Sequence, residues 1–226
     1  MKLRNLLLNL SLACALSGYA QAISVTWGNE VLSELRDSFG NLLDDTYQFQ
    51  LGFFESTFQP VVGNTAQWAS HWKVFDQAQF DPAIGYFAST VTVNQDGSSA
   101  STYADPLGLN GTGNQAYIWI YNSKTPEPGS QWFVVRSAGW VFPTGLPADG
   151  RICCDNRQPL EWSITDLKST DTPLYGKQGG TEGPGEYTQT GVYSVQTFTF
   201  VPEPAAAMLL AIGGLSAALR RRRTDG

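Results

Sequence analysis

The sequence predicts an all-β fold, an antiparallel β-sandwich or jelly-roll-like body with one or two short helices, and three observations predict it. Apolar and polar residues alternate along several short stretches, the period of a half-buried strand. Turn formers separate those stretches, drawn from 23 Gly and 12 Pro. Aromatics make up 12% and charged residues only 15%, too aromatic for a disordered chain, while the Gly and Pro content is too high for a helical bundle. The 226 residues suit one domain plus processing segments.

Taken in order, Tyr47, Phe49, Leu51 and Phe53 alternate with Gln48, Gln50 and Gly52 and read as the first strand. After Asn64 and Thr65, either of which can cap, Trp68, Ala69, Trp72 and Phe75 fall at helical spacing and predict a helix of about two turns, placed as a plug or lid. Val31, Leu32 and Leu35 suggest a second. Tyr86 to Val93 is rich in β-branched residues and reads as a strand. Ala116 to Tyr121 is continuously apolar, as expected of a strand covered on both faces. Gln131 to Arg136, Gly139 to Phe142, Leu160 to Ile164 and Gly191 to Phe200 complete the set. Turns are marked by Asp96-Gly97, Asn110-Gly111, Pro126-Glu127-Pro128-Gly129, Pro143-Thr144-Gly145, Gly179-Gly180 and Gly183-Pro184-Gly185. No repeat or long linker divides the body.

Both ends stand apart from this body. Lys2 and Arg4, an apolar stretch from Leu6 to Ala15, and the small-x-small site Ala20-Gln21-Ala22 read as a secretory signal peptide over residues 1–22, removed by signal peptidase. At the other end, Val201-Pro202-Glu203-Pro204 precedes fifteen uncharged residues, Ala205 to Leu219, and then Arg220, Arg221, Arg222 and Arg223. As a helix the apolar segment reaches about 22 Å, short of the roughly 30 Å hydrocarbon core, so spanning would need a locally thin bilayer or snorkelling arginines. Four arginines hold the C-terminus in the cytoplasm and leave the body outside. Pro202 and Pro204 keep the junction extended and open to a protease.

Motif, apolar segment and Arg cluster, in that order and spacing, resemble the PEP-CTERM sorting signal of Gram-negative bacteria. The resemblance implies transient insertion in the inner membrane, cleavage near the motif by an exosortase, and delivery to the cell surface or extracellular matrix of exopolysaccharide-producing bacteria. It covers residues 201–226; a simple C-terminal anchor is the alternative. The body, residues 23–200, resembles uncharacterised proteins bearing the same tail in Leu43-Asp44, Tyr47 to Gly52, Ala116 to Asn122 and Tyr175 to Gly180, which implies no chemistry.

The whole chain carries a formal charge of −6. The signal removes Lys2 and Arg4 and the tail four Arg, against only Glu203 and Asp225. The body thus holds 8 basic and 18 acidic residues, about −10, which disfavours nucleic acid as a partner. Cys14 leaves with the signal, so Cys153 and Cys154 remain as neighbours. A strained vicinal disulfide, two thiols or an intermolecular bridge, and a metal site are the three readings; the last lacks partners, because His71 is the chain's one histidine.

Catalytic motifs are missing: there is no Gly-x-Ser-x-Gly elbow, His-Glu-x-x-His, phosphate loop or dinucleotide fingerprint. No cofactor is expected, and no catalytic or metal-binding residue is assigned. His71 lacks a nucleophile and an orienting carboxylate at any known spacing and reads as a structural or surface histidine. The expectation is therefore an exported, non-enzymatic surface or exopolysaccharide-matrix protein. Two alternatives stand beside it. The first is a carbohydrate-binding module, for which Trp68 and Trp72 would stack on a sugar, although aromatics along strands usually form core. The second is a glycoside hydrolase using two of Glu55, Asp76, Asp81 and Glu161. Asp44-Asp45, Asp81 and Asp96 show no recognisable calcium-ligand spacing, and Asn110-Gly111-Thr112 reads as a turn before a glycan acceptor.

Overall fold

A bent strand organises the body. The computed structural model describes residues 23–31, 33–143, 160–167, 173–178 and 195–200. Within them lie β1 (Ile23–Gly28), β2 (Leu35–Arg36), β3 (Gln48–Phe54), β4 (Trp72–Asp81), β5 (Tyr86–Val93), β6 (Tyr117–Tyr121), β7 (Gln131–Val135), β8 (Leu160–Ser163), β9 (Lys177–Gln178), β10 (Val195–Gln196) and β11 (Phe198–Thr199). A 3-10 helix at Val62–Gln67 runs into the single-turn α1 (Trp68–His71), and a second 3-10 turn follows β8. The signal peptide, Cys153 and Cys154, residues 179–194 and the sorting segment 201–226 with its apolar stretch 205–219 lie outside the described residues.

Eight strands form one sheet in the order β11-β7-β6-β3-β4-β5-β1-β8, and β2-β10-β9 form a smaller one. β4 pairs with β3 from Trp72 to Ala78 and with β5 only from Gln79 to Asp81. Where β5 turns away to join β1, Asp105 takes its place beside Val74. The sheet therefore curls around its inner face. Phe49 of β3 packs on Phe80 of β4 and Phe87 of β5 at ring separations of 4.6 and 4.5 Å. Phe142 closes the same core against Phe53, Phe75 and Trp162.

The outer face of β7, β6, β3 and β4 carries a second core of Phe54, Trp72, Tyr117, Trp119, Tyr121, Trp132 and Val134. Trp68 of α1 lies on it, fully buried, with Trp119, Trp132 and Tyr175 within 6.1–6.3 Å. Cores on both faces explain why β6 and β7 are buried at every position, as the continuous apolar run of β6 requires.

The predominantly β composition and the helical lid agree with the sequence. Four details differ. The expected two-turn helix stops at His71, and Trp72 and Phe75 belong to a strand, one facing each core. A β-bulge at Leu51/Gly52 shifts the pairing of β4, so its two-sided apolar pattern imitates helical spacing. Val31 sits in a turn and Leu35 in β2, because Leu35 pairs with Val195 and is buried in the inner core. Finally, β1–β8 and β2–β10 run parallel, since β8 and β10 return from far along the chain to edges that no hairpin can reach. Gly139 to Phe142 makes one bridge, Gln115 to Val141, instead of a strand.

Candidate functional site

β10 and β11 are the last described elements before the sorting segment. Val195 and Thr197 are fully buried and Phe200 is 5% exposed, its ring packed on Trp132. Thr197 donates its amide to the Arg36 carbonyl at 2.9 Å and its hydroxyl to Gln131 Oε1 at 2.7 Å. The same Gln131 oxygen accepts the Ser38 amide at 2.8 Å, and the hydroxyls of Ser38 and Thr199 meet at 2.8 Å. Tyr175 donates its hydroxyl to the Thr199 carbonyl, and Phe200 its amide to Ser130. The polypeptide is thus held firmly up to the residue before Val201.

Trp68 and Trp72, expected to stack on a sugar, are 0% and 6% exposed. Their indole N–H groups donate inward, Trp68 to Asn64 Oδ1 and Trp72 to Gln50 Oε1. Two apolar sheet faces need covering, and these rings supply that cover rather than an open platform. All seven Trp of the chain are buried.

The carboxylates divide among separate tasks. Asp76, 3% exposed, accepts from Trp27 Nε1 at 2.8 Å and from the Ser101 hydroxyl at 2.6 Å. Asp81 caps the Ala83 amide. Asp44 and Asp96 each close a turn on Thr46 and Ser98, and those bonds hold both carboxyls below their ordinary range. Asn110 accepts the Thr112 amide, a turn as expected. Among the described residues no cluster of three or more His, Cys, Asp or Glu is placed to hold a metal ion, and no helix is long and apolar enough to cross a membrane.

Glu55 has a different setting. Its Oε2 lies 2.9 Å from His71 Nδ1 and its Oε1 2.8 Å from Lys73 Nζ, and the Lys73 bond is the larger cause of its lowered pKa. His71 stacks on Phe58 with centroids 4.1 Å apart. The orienting carboxylate that the sequence does not reveal is therefore present, because the antiparallel register of β3 and β4 sets Glu55 against His71, 16 positions apart. The Ser70 hydroxyl is turned away, donating to the Gln67 carbonyl.

Glu161 lines a shallow open groove of about 220 Å³ formed where β5, β1 and β8 lie side by side. Thr26, Gly28, Ala88 and Ser163 make its floor, with Asn29, Glu30, Tyr86 and Glu161 around it. The register pairs Gly28 with both Ala88 and Ser163, so small side chains meet on three adjacent strands and leave a hollow. Glu30 was not legible as a site residue: the groove arises from the parallel return of β8, which no local pattern announces. Glu55, Asp76 and Asp81 do not line it.

Residues 200–223 match the family described as PEP-CTERM protein-sorting motif. The chain carries that sorting motif, and the match begins on Phe200, the last of the described residues. No curated protein and no solved structure matches the chain.

Proposed function

We propose that this is an exported protein whose C-terminal signal is cut by an exosortase, leaving a non-catalytic body at the cell surface or in an exopolysaccharide matrix. The sorting motif at 200–223 carries this reading, because it marks the chain as an exosortase target. The geometry of β11 supports it: the described body is held in place through Phe200, so a cut after the motif takes none of those packed residues. Intact-mass measurement of protein from strains with and without an exosortase tests it. A product lacking residues 1–22 and the segment after the motif is expected only where the protease is present. Arg220 to Arg223 retained in both strains would refute the sorting step.

The groove beside Tyr86 and Glu161 favours a second reading, a carbohydrate-binding body on a sandwich-like scaffold. Amide, carboxylate and phenol groups edge it, the polar groups that hydrogen-bond sugar hydroxyls. Affinity electrophoresis against polysaccharides, with Tyr86→Ala and Glu161→Gln as probes, distinguishes it. Retardation lost in both variants supports sugar binding. Release of reducing sugar that Glu161→Gln abolishes points instead to a hydrolase, and no retardation on any glycan removes the reading.

A further inference from the structure

We propose that the turn at residues 37–42 is a lipid-contacting tip that rests on the membrane surface while the chain is still tethered by its sorting segment. This rests on the sorting function proposed above. Phe39 is 79% exposed and Leu42 60%, the first being the most exposed of the large hydrophobic residues among those described. Isolated apolar residues on a surface need no explanation. Two in one turn, at one particular place, do.

The turn that presents Phe39 is fixed from within. Asp37 Oδ1 accepts the amides of Phe39 and Asn41, each at 2.8 Å, Asp37 Oδ2 accepts the Asn41 side-chain amide at 3.0 Å, and Arg36 donates to the Gly40 carbonyl at 2.6 Å. Gly40 adopts φ +88°, the left-handed conformation that lets the chain reverse there. Its place is set by the C-terminal strands: Ser38 bonds Thr199 and Gln131, and Gln196 donates to the Asp37 carbonyl at 3.2 Å. Phe39 therefore neighbours the last described strand, one residue before the sorting match begins.

Covalent length then limits how far that point can stand from the bilayer. Between Phe200 and the apolar stretch beginning at Ala205 lie four residues, two of them Pro. Extended, they span about 12–14 Å, and the headgroup layer on one side of a bilayer takes up roughly 5–8 Å of that. A body of this size on so short a tether lies against the surface on the side of Phe200, and the turn that carries Phe39 is fastened to that strand through Ser38 and Thr199. Asp37, Asp44 and Asp45 in the same region make a zwitterionic surface the better match than an anionic one.

Because every native Trp is buried, a Trp placed at the tip is a clean reporter. The full mature chain with its sorting segment, carrying Phe39→Trp, is reconstituted into phosphatidylcholine vesicles containing brominated acyl chains. Leu107→Trp, at a position 76% exposed on the loop beside Asp105, beyond β4 from Phe200, serves as the control. The proposal expects the added emission of Phe39→Trp to be mostly quenched and that of Leu107→Trp and the parent Trp residues to be unchanged. Flotation with the vesicles but no quenching at position 39, or equal quenching at 39 and 107, overturns the tip contact and leaves the sorting reading standing. Failure of the full chain to float overturns both.

Discussion

Lys124 shows how one residue's surroundings become a measurable pH dependence. Burial lowers its pKa from 10.5 to about 8, opposed by the attraction of Asp105, and its ammonium lies 5.3 Å from the Tyr121 ring centroid. A depressed folded-state pKa means that the unfolded chain takes up the proton first. The resulting penalty on the fold grows as pH falls from about 10.5 to about 8 and is fully present below that. Lys124→Met removes the penalty but also the cation–π contact. After discounting for partial solvent screening, a net gain of about 1 kcal/mol is expected at pH 7, or roughly 2–4 °C in Tm, closing above about pH 10. An equal gap at both pH values in thermal melts would rule out the amine as its origin. Asp76 poses the opposite case, a carboxylate whose two donors, Trp27 and Ser101, come from separate parts of the chain. Asp76→Ala leaves both donors unpaired in the core, and a loss of about 2–3 kcal/mol is expected in urea unfolding; a loss below ~0.5 kcal/mol would mean that solvent or rearrangement satisfies them.

At the scale of elements, Gly52 decides how β3 and β4 fit. It sits at the β-bulge with the Trp72 ring over it, and a Cβ there would come within 2.2 Å of the Lys73 carbonyl oxygen and 2.6 Å of the ring. Gly52→Ala must push the two strands apart and is expected to cost about 2 kcal/mol, read as a lower urea midpoint at unchanged slope; an unshifted midpoint would show that the bulge can open freely. The same bulge explains what the sequence conceals. Tyr86 to Val93 was legible to the residue because only one of its faces is buried, so Phe87, Val91 and Val93 alternate cleanly with Ala88, Thr90 and Thr92. Trp72 to Asp81 has apolar residues on both faces and a register shift, so the alternation breaks and Trp68, Trp72 and Phe75 take on helical spacing. Two-residue strands such as β2 and β9 carry no period at all; partners supplied by distant segments define them. The candidate sites follow the same logic. The sorting motif is contiguous and was legible in full, whereas the Glu55–His71 pair and the groove exist only once register and a parallel return have assembled them.

For the whole molecule, the question is where a removable address can end without harming what it delivers. Residues 195–200 complete both sheets: β10 joins β2 to β9, β11 closes the edge of β7, and Phe200 enters the outer core. A chain ending at Phe200 keeps every one of these contacts, so it should melt within about 1 °C of the full mature protein. A chain ending at residue 194 loses two buried apolar side chains, Val195 and Phe200, together with the hydroxyl of Thr197 that shares Gln131 with Ser38. At about 1.5–3 kcal/mol for each apolar side chain withdrawn from the core, it should be less stable by roughly 4 kcal/mol and melt about 10 °C lower. It should also release the turn at 37–42, seen as faster amide exchange at Phe39 and Asn41, because Ser38 would lose Thr199 and Asp37 would lose Gln196. Equal melting of the two truncated chains would mean that the last strands are ornament to the body. A Tm lowered only when residues 195–200 are removed would place the boundary between fold and signal at Phe200, the residue on which the sorting match begins.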